Sequence, residues 1–173
     1  RNLEAGRIFY DKNKIKPTQN LERAKQTIKN GFEEMKRVKE KDSDVIYSSF
    51  LLEREIKTML KTVDVSGIRT NFFLRGSIKN MDEKVYDIIK KVSTELVTNT
   101  LKHSGATSLF LSIIFEEDRV VISQMDNGRG VESLKKGNGL SGIDGRLSLV
   151  DGIARYTSSA GEGFNANILI PIR

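Results

Sequence analysis

The sequence predicts an α+β fold: a two-layer α/β sandwich over residues 44–173, preceded by a helical hairpin over residues 1–43. Three observations predict it. Helical-period and alternating-period segments are intermixed, with strands following one another directly as antiparallel neighbours do, and not only in β-helix-β units. One segment, 109–115, is apolar on both faces, as a strand with neighbours on either side should be. A heptad seam near the amino terminus runs up to a charged stretch and stops, which separates it from the rest of the chain.

In chain order, residues 1–10 read as the tail of a helix. Asp11 to Lys16 form a polar loop, and Pro17 suits the first turn of the next helix. Leu21, Ala24, Ile28, Gly31, Met35 and Val38 then recur at alternating steps of three and four, with Phe32 beside the seam. Two helices joined by a short loop cannot bury such a seam well alone. The hairpin is therefore expected to form half of a four-helix dimer; packing against its own domain is the plainer alternative. Lys39-Glu40-Lys41-Asp42-Ser43-Asp44 marks the boundary. Beyond it the pattern predicts a helix near 45–63, a strand near 68–74 and a long helix near 82–103. Leu109, Leu111, Ile113 and Phe115 alternate with Phe110 and Ile114 in a strand expected to be central. Glu116 to Arg119 turn the chain into a second strand, Val120 to Met125. A helix near 139–150 and strands near 153–158 and 164–170 complete the domain.

Composition narrows the function classes. The chain has 173 residues, no cysteine, 2 prolines and 1 histidine, so disulfides and cysteine-based metal sites or nucleophiles are excluded. No apolar run approaches the roughly 20 residues that span a bilayer. The chain opens with Arg1 and is expected to be a piece of a longer protein, any membrane segment lying upstream. The net charge of +6 invites a nucleic-acid reading, but its distribution argues against one. Residues 1–43 hold 12 basic and 7 acidic side chains and residues 44–173 hold 17 and 16, so the excess lies on the charged hairpin, where it reads as a solvated face. No aromatic-interleaved basic patch accompanies it, and no direct nucleic-acid contact is expected.

Three features between residues 93 and 163 carry chemistry. On the helix at 82–103, Val85, Ile88, Ile89, Val92 and Leu96 form an inward stripe. Beside it Glu95, Asn99, Lys102 and His103 fall at i, i+4, i+7 and i+8, within about a quarter of the helix circumference. A carboxylate, an amide, an ammonium and an imidazole in such a place need partners, and a metal–phosphate ligand would satisfy all four. An exposed polar row would explain them more plainly. Next, Asp126-Asn127-Gly128-Arg129-Gly130 follows an apolar strand. The carboxylate is a natural acceptor for an exocyclic amine such as that of adenine, and the glycines let backbone approach a ligand closely. Asp-Asn-Gly is also an ordinary β-turn signal. Last, Gly137-Asn138-Gly139-Leu140-Ser141-Gly142 opens a helix, where backbone N–H groups and the dipole favour phosphate. It is neither a P-loop nor a dinucleotide fingerprint. Each feature alone is weak; their order within 50 residues is the specific signal.

In that order they resemble the sensor histidine kinases of two-component systems. Glu95 to Ala106 (ELVTNTLKHSGA) looks like the family's N box, and Asp126 to Gly130 and Gly137 to Gly142 resemble its two glycine boxes. The Lys-His-Ser-Gly-Ala ending points to the subfamily of the nitrate sensors and the membrane-fluidity thermosensor. Residues 1–43 are similar to the second part of that subfamily's dimerisation and phosphotransfer hairpin. The resemblance implies the GHKL, or Bergerat, type of ATPase sandwich with ATP and Mg²⁺ as cofactors. It implies that Asn99 ligates Mg²⁺ and that Glu95 orients a water or the attacking group, these two being the catalytic candidates. It further implies that Lys102 and His103 contact phosphate oxygens, and that Asp126 reads the adenine amine with Gly128 and Gly130 making room for the base. Gly137, Gly139 and Gly142 would shape a short lid, from which Arg129, Lys135 and Lys136 could reach phosphate, and Leu140 beside them would join the ATP-binding residues. Two positions depart from the family pattern: Phe164 stands where a Thr is common, and Gly145 where a Glu often precedes the matched Arg146. The family's reactive His belongs on the first hairpin helix, here only a remnant. The chain is thus expected to bind ATP without phosphorylating itself, His103 being a phosphate contact and not the acceptor. The partners implied are a second copy, through the hairpin, and a response regulator with a LuxR-type DNA-binding domain. The whole protein is expected to be membrane-anchored with this part cytoplasmic. Rival readings are a serine-protein kinase or ATP-gated module of the same superfamily, which would lack the hairpin, and a degenerate dimeric scaffold.

Overall fold

The computed structural model describes Gln26 and residues 47–172; the expected hairpin, its seam and the boundary at 43–44 lie outside the described residues. Helix α1 spans Ser49–Asp64. It starts where the Ser48 hydroxyl accepts the Leu51 N–H, and it buries Leu52, Ile56, Met59, Leu60 and Val63 at helical spacing. Strand β1 is Arg69–Arg75. Helix α2, Glu83–Asn99, is capped by Asp82, which accepts the Val85 N–H, and a π-helical turn over Thr100–Ser104 continues it. Strands β2, Ser108–Phe115, and β3, Arg119–Asp126, follow. Helix α3, Asn138–Leu147, runs into a short 3-10 turn at Ser148–Val150, and β4, Ile153–Ser158, and β5, Phe164–Pro171, end the fold.

The five strands form one mixed sheet in the order β1-β2-β3-β5-β4. Only β1 and β2 are parallel, because α2 carries the chain back across the sheet between them; the other pairs are antiparallel. The helices cover one face. Leu109, Leu111, Ile113, Val120, Ile122, Ala166, Ile168 and Ile170 point into a core closed by α1, α2 and α3. The expected two-layer sandwich is therefore present. The strand expected at 109–115 does have a neighbour on either side, although β3 holds the middle place, and among the described residues nothing covers the outer face of β2. That face exposes Phe110 beside Met125, its partner across the ladder, with Phe73 of β1 also exposed. Between α1 and α2, Lys90 pairs with Glu55 at 2.7 Å, both buried. Burial, reinforced by the charge and hydrogen bond of Glu55, pushes the Tyr86 phenol well above its ordinary range.

The helix expected to run to residue 103 stops being α-helical at Asn99. The apolar period gives no warning, because the last members of the stripe, Leu96 and Val97, precede the turn. The Ser104 hydroxyl pins the turn by donating to the Thr100 carbonyl (2.7 Å) and accepting the Ala106 N–H (2.9 Å), and Gly105 leaves it in the left-handed region at φ 64°.

Candidate functional site

The cleft is built from three chain ends that meet over the sheet. From α2 come Glu95 and Asn99, half-buried on its last turn. The π turn then divides its residues: Thr100 and Ser104 go inward, while Lys102 and His103 stand exposed on the rim. From β3 comes Asp126, the last residue of the strand and only 8% exposed. Its two carboxylate oxygens are held separately. Oδ1 accepts the Gly128 N–H at 3.0 Å, and Oδ2 accepts the Thr100 hydroxyl at 2.8 Å and the Gln124 side-chain amide at 3.4 Å. Asn127 turns away from the cleft and caps the start of β2, accepting the Thr107 and Ser108 N–H groups.

The loop after Asp126 is fastened from two sides. The Arg129 N–H donates to the Ser104 carbonyl at 2.8 Å, and the Gly161 N–H, from the β4–β5 hairpin, donates to the Arg129 carbonyl at 2.6 Å. Gly130 (φ 58°) and Gly163 (φ 77°) make this closure feasible. A Cβ on the first would collide with the Ser159 carbonyl, and one on the second with that of Asp126.

The third component is the glycine turn entering α3. Its helix N-cap, Gly137, has no side-chain cap, so the first amides of α3 are open to a ligand. Gly139 sits directly on the polar end of α2, where an added Cβ would lie 2.5 Å from Glu95 Oε1 and 3.1 Å from Asn99 Oδ1.

These components enclose one cleft of about 530 Å³. Of the predicted site residues, Glu95, Asn99, Lys102, His103, Asp126, Gly130, Gly137, Gly139 and Leu140 line it. Gly128 lies behind Asp126 against Ser104, and Gly142 lies within α3, its carbonyl accepting the Arg146 guanidinium at 2.8 Å. Arg129 and Lys135 line the cleft, but Lys136 is turned outward onto Asp144 at 2.6 Å and over the Tyr156 ring. Among the described residues no cluster of three or more His, Asp or Glu could hold a metal by itself.

The comparisons with known proteins point one way. No protein-family profile matches the chain. Over 87 residues it is 33% identical to the sensor histidine kinase ComP of Bacillus subtilis, a match covering 47% of this chain and 11% of that protein. Over 110 residues it is 26% identical to the oxygen sensor histidine kinase NreB of Staphylococcus carnosus, covering 61% of this chain and 32% of the other. The fold superposes on the histidine kinase domain of the Erythrobacter litoralis EL346 blue-light activated histidine kinase with a TM-score of 0.59. That alignment covers 98% of this chain and 81% of the other at 12% identity. In sequence the chain is similar to sensor histidine kinases, and its fold is that of their kinase domains. It spans less than a third of the length of these two sequence relatives.

The departure at Phe164 has a structural setting. Phe164 lines the cleft and stacks on Tyr156, with ring centroids 6.1 Å apart. The Tyr156 hydroxyl donates to Asp144 at 3.0 Å, and burial together with that bond raises its pKa well above the usual phenol value. Thr100 and Ser158 are among the lining residues that the sequence reading did not single out, and Gln124, buried beside Asp126, is another it missed. Gln124 had left a signal, since Val120, Ile122, Gln124 and Asp126 share the inward register of β3, where a polar residue is unexpected.

Proposed function

We propose that this domain is the kinase core of its protein, binding Mg-ATP in the cleft and supplying the γ-phosphoryl to a histidine on an upstream helix. A response regulator would then receive the phosphoryl group. The observation that carries this reading is the convergence of Glu95, Asn99, Asp126 and the open amino terminus of α3 on one cleft. Asp126 offers a carboxylate addressed only by donors, suited to accept the amine of adenine, while Phe164 supplies an aromatic wall for the base. At the other end Lys102, His103 and the amides of α3 face where phosphates would lie.

The donor set suits Mg²⁺. Asn99 and Glu95 present hard oxygens side by side under Gly139, and Mg²⁺ sites commonly take one or two protein oxygens and complete their shell with phosphates and water. The ion would neutralise phosphate charge during transfer. Asn99 would hold it, Glu95 would orient the attacking group, and Lys102 would neutralise the outer phosphates. In the transfer the bond from the γ-phosphorus to its bridging oxygen breaks, a bond to the acceptor imidazole nitrogen forms, and ADP leaves. His103 is exposed on the rim and is assigned to phosphate contact. The same reading makes the whole protein a dimer through the hairpin, working with a regulator of the LuxR-type DNA-binding class. It also places this domain on the cytoplasmic side of a membrane-anchored protein, although no helix of the described residues is long and apolar enough to cross a membrane.

Titration calorimetry with ATP, with and without Mg²⁺, tests the reading. Saturable, Mg²⁺-dependent binding without phosphorylation of the chain itself is expected. Absence of binding in both conditions would leave the scaffold reading standing, and phosphate appearing on His103 would overturn its role as a contact.

A further inference from the structure

Beneath the cleft floor lies a buried polar chain that the phosphate chemistry does not use. Gln124 is fully buried and Thr100 is 2% exposed, both among apolar neighbours, so their polar atoms carry a desolvation cost unless paired. The Gln124 amide nitrogen donates to the Thr100 hydroxyl at 3.1 Å and reaches Asp126 Oδ2 at 3.4 Å, while Thr100 donates its single proton to the same Oδ2 at 2.8 Å. The direction of this chain is determined by chemistry. Turning the Gln124 amide over would set its oxygen against a carboxylate oxygen, two acceptors with no proton between them. With the nitrogen inward, the lone pair of Thr100 is engaged from behind and its proton has one place to go. The Gln124 carbonyl oxygen has no hydrogen-bond partner among the described residues.

Resting on the adenine reading of the cleft, we infer that Thr100 and Gln124 are positioning residues that set base selectivity. They hold Oδ2 of Asp126 from behind, so that the carboxylate meets the base in one orientation and solely as an acceptor. The Gly128 N–H fixes the other oxygen, and the rotation of the carboxylate is closed from both sides. A base with an amine at the facing position gains a charge-assisted hydrogen bond, whereas one with a carbonyl there meets an acceptor with an acceptor. Thr100 faces inward as the i+4 neighbour of buried Leu96, immediately after Asn99 and at the start of the π turn. The device therefore ties base recognition to the same turn that displays Lys102 and His103.

The test compares ATP with purine riboside triphosphate, which lacks the amine, on the 173-residue chain. Gln124→Met and Thr100→Val are each expected to weaken ATP about three- to tenfold while leaving the amine-free nucleotide unchanged, so the ratio of affinities contracts; Thr100→Ser, which keeps the hydroxyl, should retain it. A merely structural role would weaken both nucleotides together, and that result, or an unchanged ratio in Thr100→Val, overturns the inference. If Gln124→Met fails to fold, the Thr100→Val and Thr100→Ser pair decides alone. Asp126→Asn separates the two levels. A wild-type chain that binds no nucleotide, or an Asp126→Asn variant with an intact ratio, removes the adenine reading itself. A ratio lost in Asp126→Asn but kept in Thr100→Val removes only this inference.

Discussion

At the Asp126 end of the cleft every polar contact is made by buried backbone or a buried side chain, whereas at the Lys102–His103 end the side chains stand in solvent beside a segment, 127–137, without regular structure. One end is part of the core. The other is attached to it through Asn99 and the helix start at Gly139. Under the proposed function, selectivity for a base would require an acceptor held in place, and the sheet holds Asp126 so. Accepting and releasing a charged phosphate chain would draw on solvated cations, and the rim displays Lys102 and His103. The two ends should therefore respond to mutation in different observables: stability at the first, ligand affinity at the second.

The sharpest contrast is between two glycines. At Gly163, φ is 77° and an added Cβ would run into the Asp126 carbonyl, so Gly163→Ala should destabilise the domain by about 3 kcal/mol and lower its melting temperature by roughly 10 °C. At Gly137 nothing lies within 4 Å of an added Cβ, and Gly137→Ala should cost no more than about 1 kcal/mol, the loss of a favoured N-cap residue. Equal losses in a thermal melt of the two variants would erase the distinction between the ends.

Asn99→Asp tests the junction between them. It places a second carboxylate beside Glu95 and exchanges the amide that should ligate the metal. Mg²⁺-dependent ATP binding is expected to weaken about 100-fold, while the melting temperature stays within a few degrees of the parent. Normal Mg-ATP binding by this variant, read by calorimetry, would mean that the end of α2 has been given the wrong chemistry.

The same contrast governs what could be read in the amino-acid sequence. Periodicity located every described helix and strand to within a few residues, because burial of one face dictates 3.6- or 2-residue spacing wherever a core is made. The glycine turn and the Asp126 motif were legible for a related reason, since glycine is conspicuous where backbone must approach something closely. Strand pairing was not legible. That β1 joins β2 in parallel and that β3 takes the middle depend on contacts between segments far apart in the chain. The π turn was hidden because its residues continue the composition of the helix before it. Lys136 looked like a lid cation beside Lys135, and only the folded chain shows Asp144, eight residues on, taking its charge. Gln124 stood as a polar residue in an apolar register, a signal with no meaning until Thr100 lay next to it.

A moderate effect is expected at the rim. Lys102→Ala should weaken ATP about five- to tenfold, roughly 1 kcal/mol, and the loss should shrink as salt is raised from 0.05 to about 0.5 M because exposed charges are screened. Thermal stability should not move. A loss of affinity that ignores salt would place this ammonium in a drier setting than the rim provides.

The smallest effects belong to the contacts that join the rim to the sheet. The Lys136–Asp144 pair is half-exposed, so Lys136→Ala should cost no more than about 0.5 kcal/mol. Tyr156 adds a pH dependence of definite sign. Its phenol pKa is raised in the folded state, by burial first and then by the bond to Asp144, above the ordinary value of 10.0. The folded domain therefore retains a proton that the unfolded chain gives up, and the contribution, complete below about pH 10, declines as pH rises beyond it. Tyr86 acts in the same direction through burial and Glu55, so wild-type stability should fall in alkali with a slope drawn from both phenols. Tyr156→Phe should keep the stack on Phe164 and remove one of the two titrating groups, giving a shallower decline in denaturant midpoint between about pH 10 and 11.5. An identical slope in the variant would mean that the Tyr156 hydroxyl opens to water in solution, and that the rim is tied to the sheet by ring packing alone.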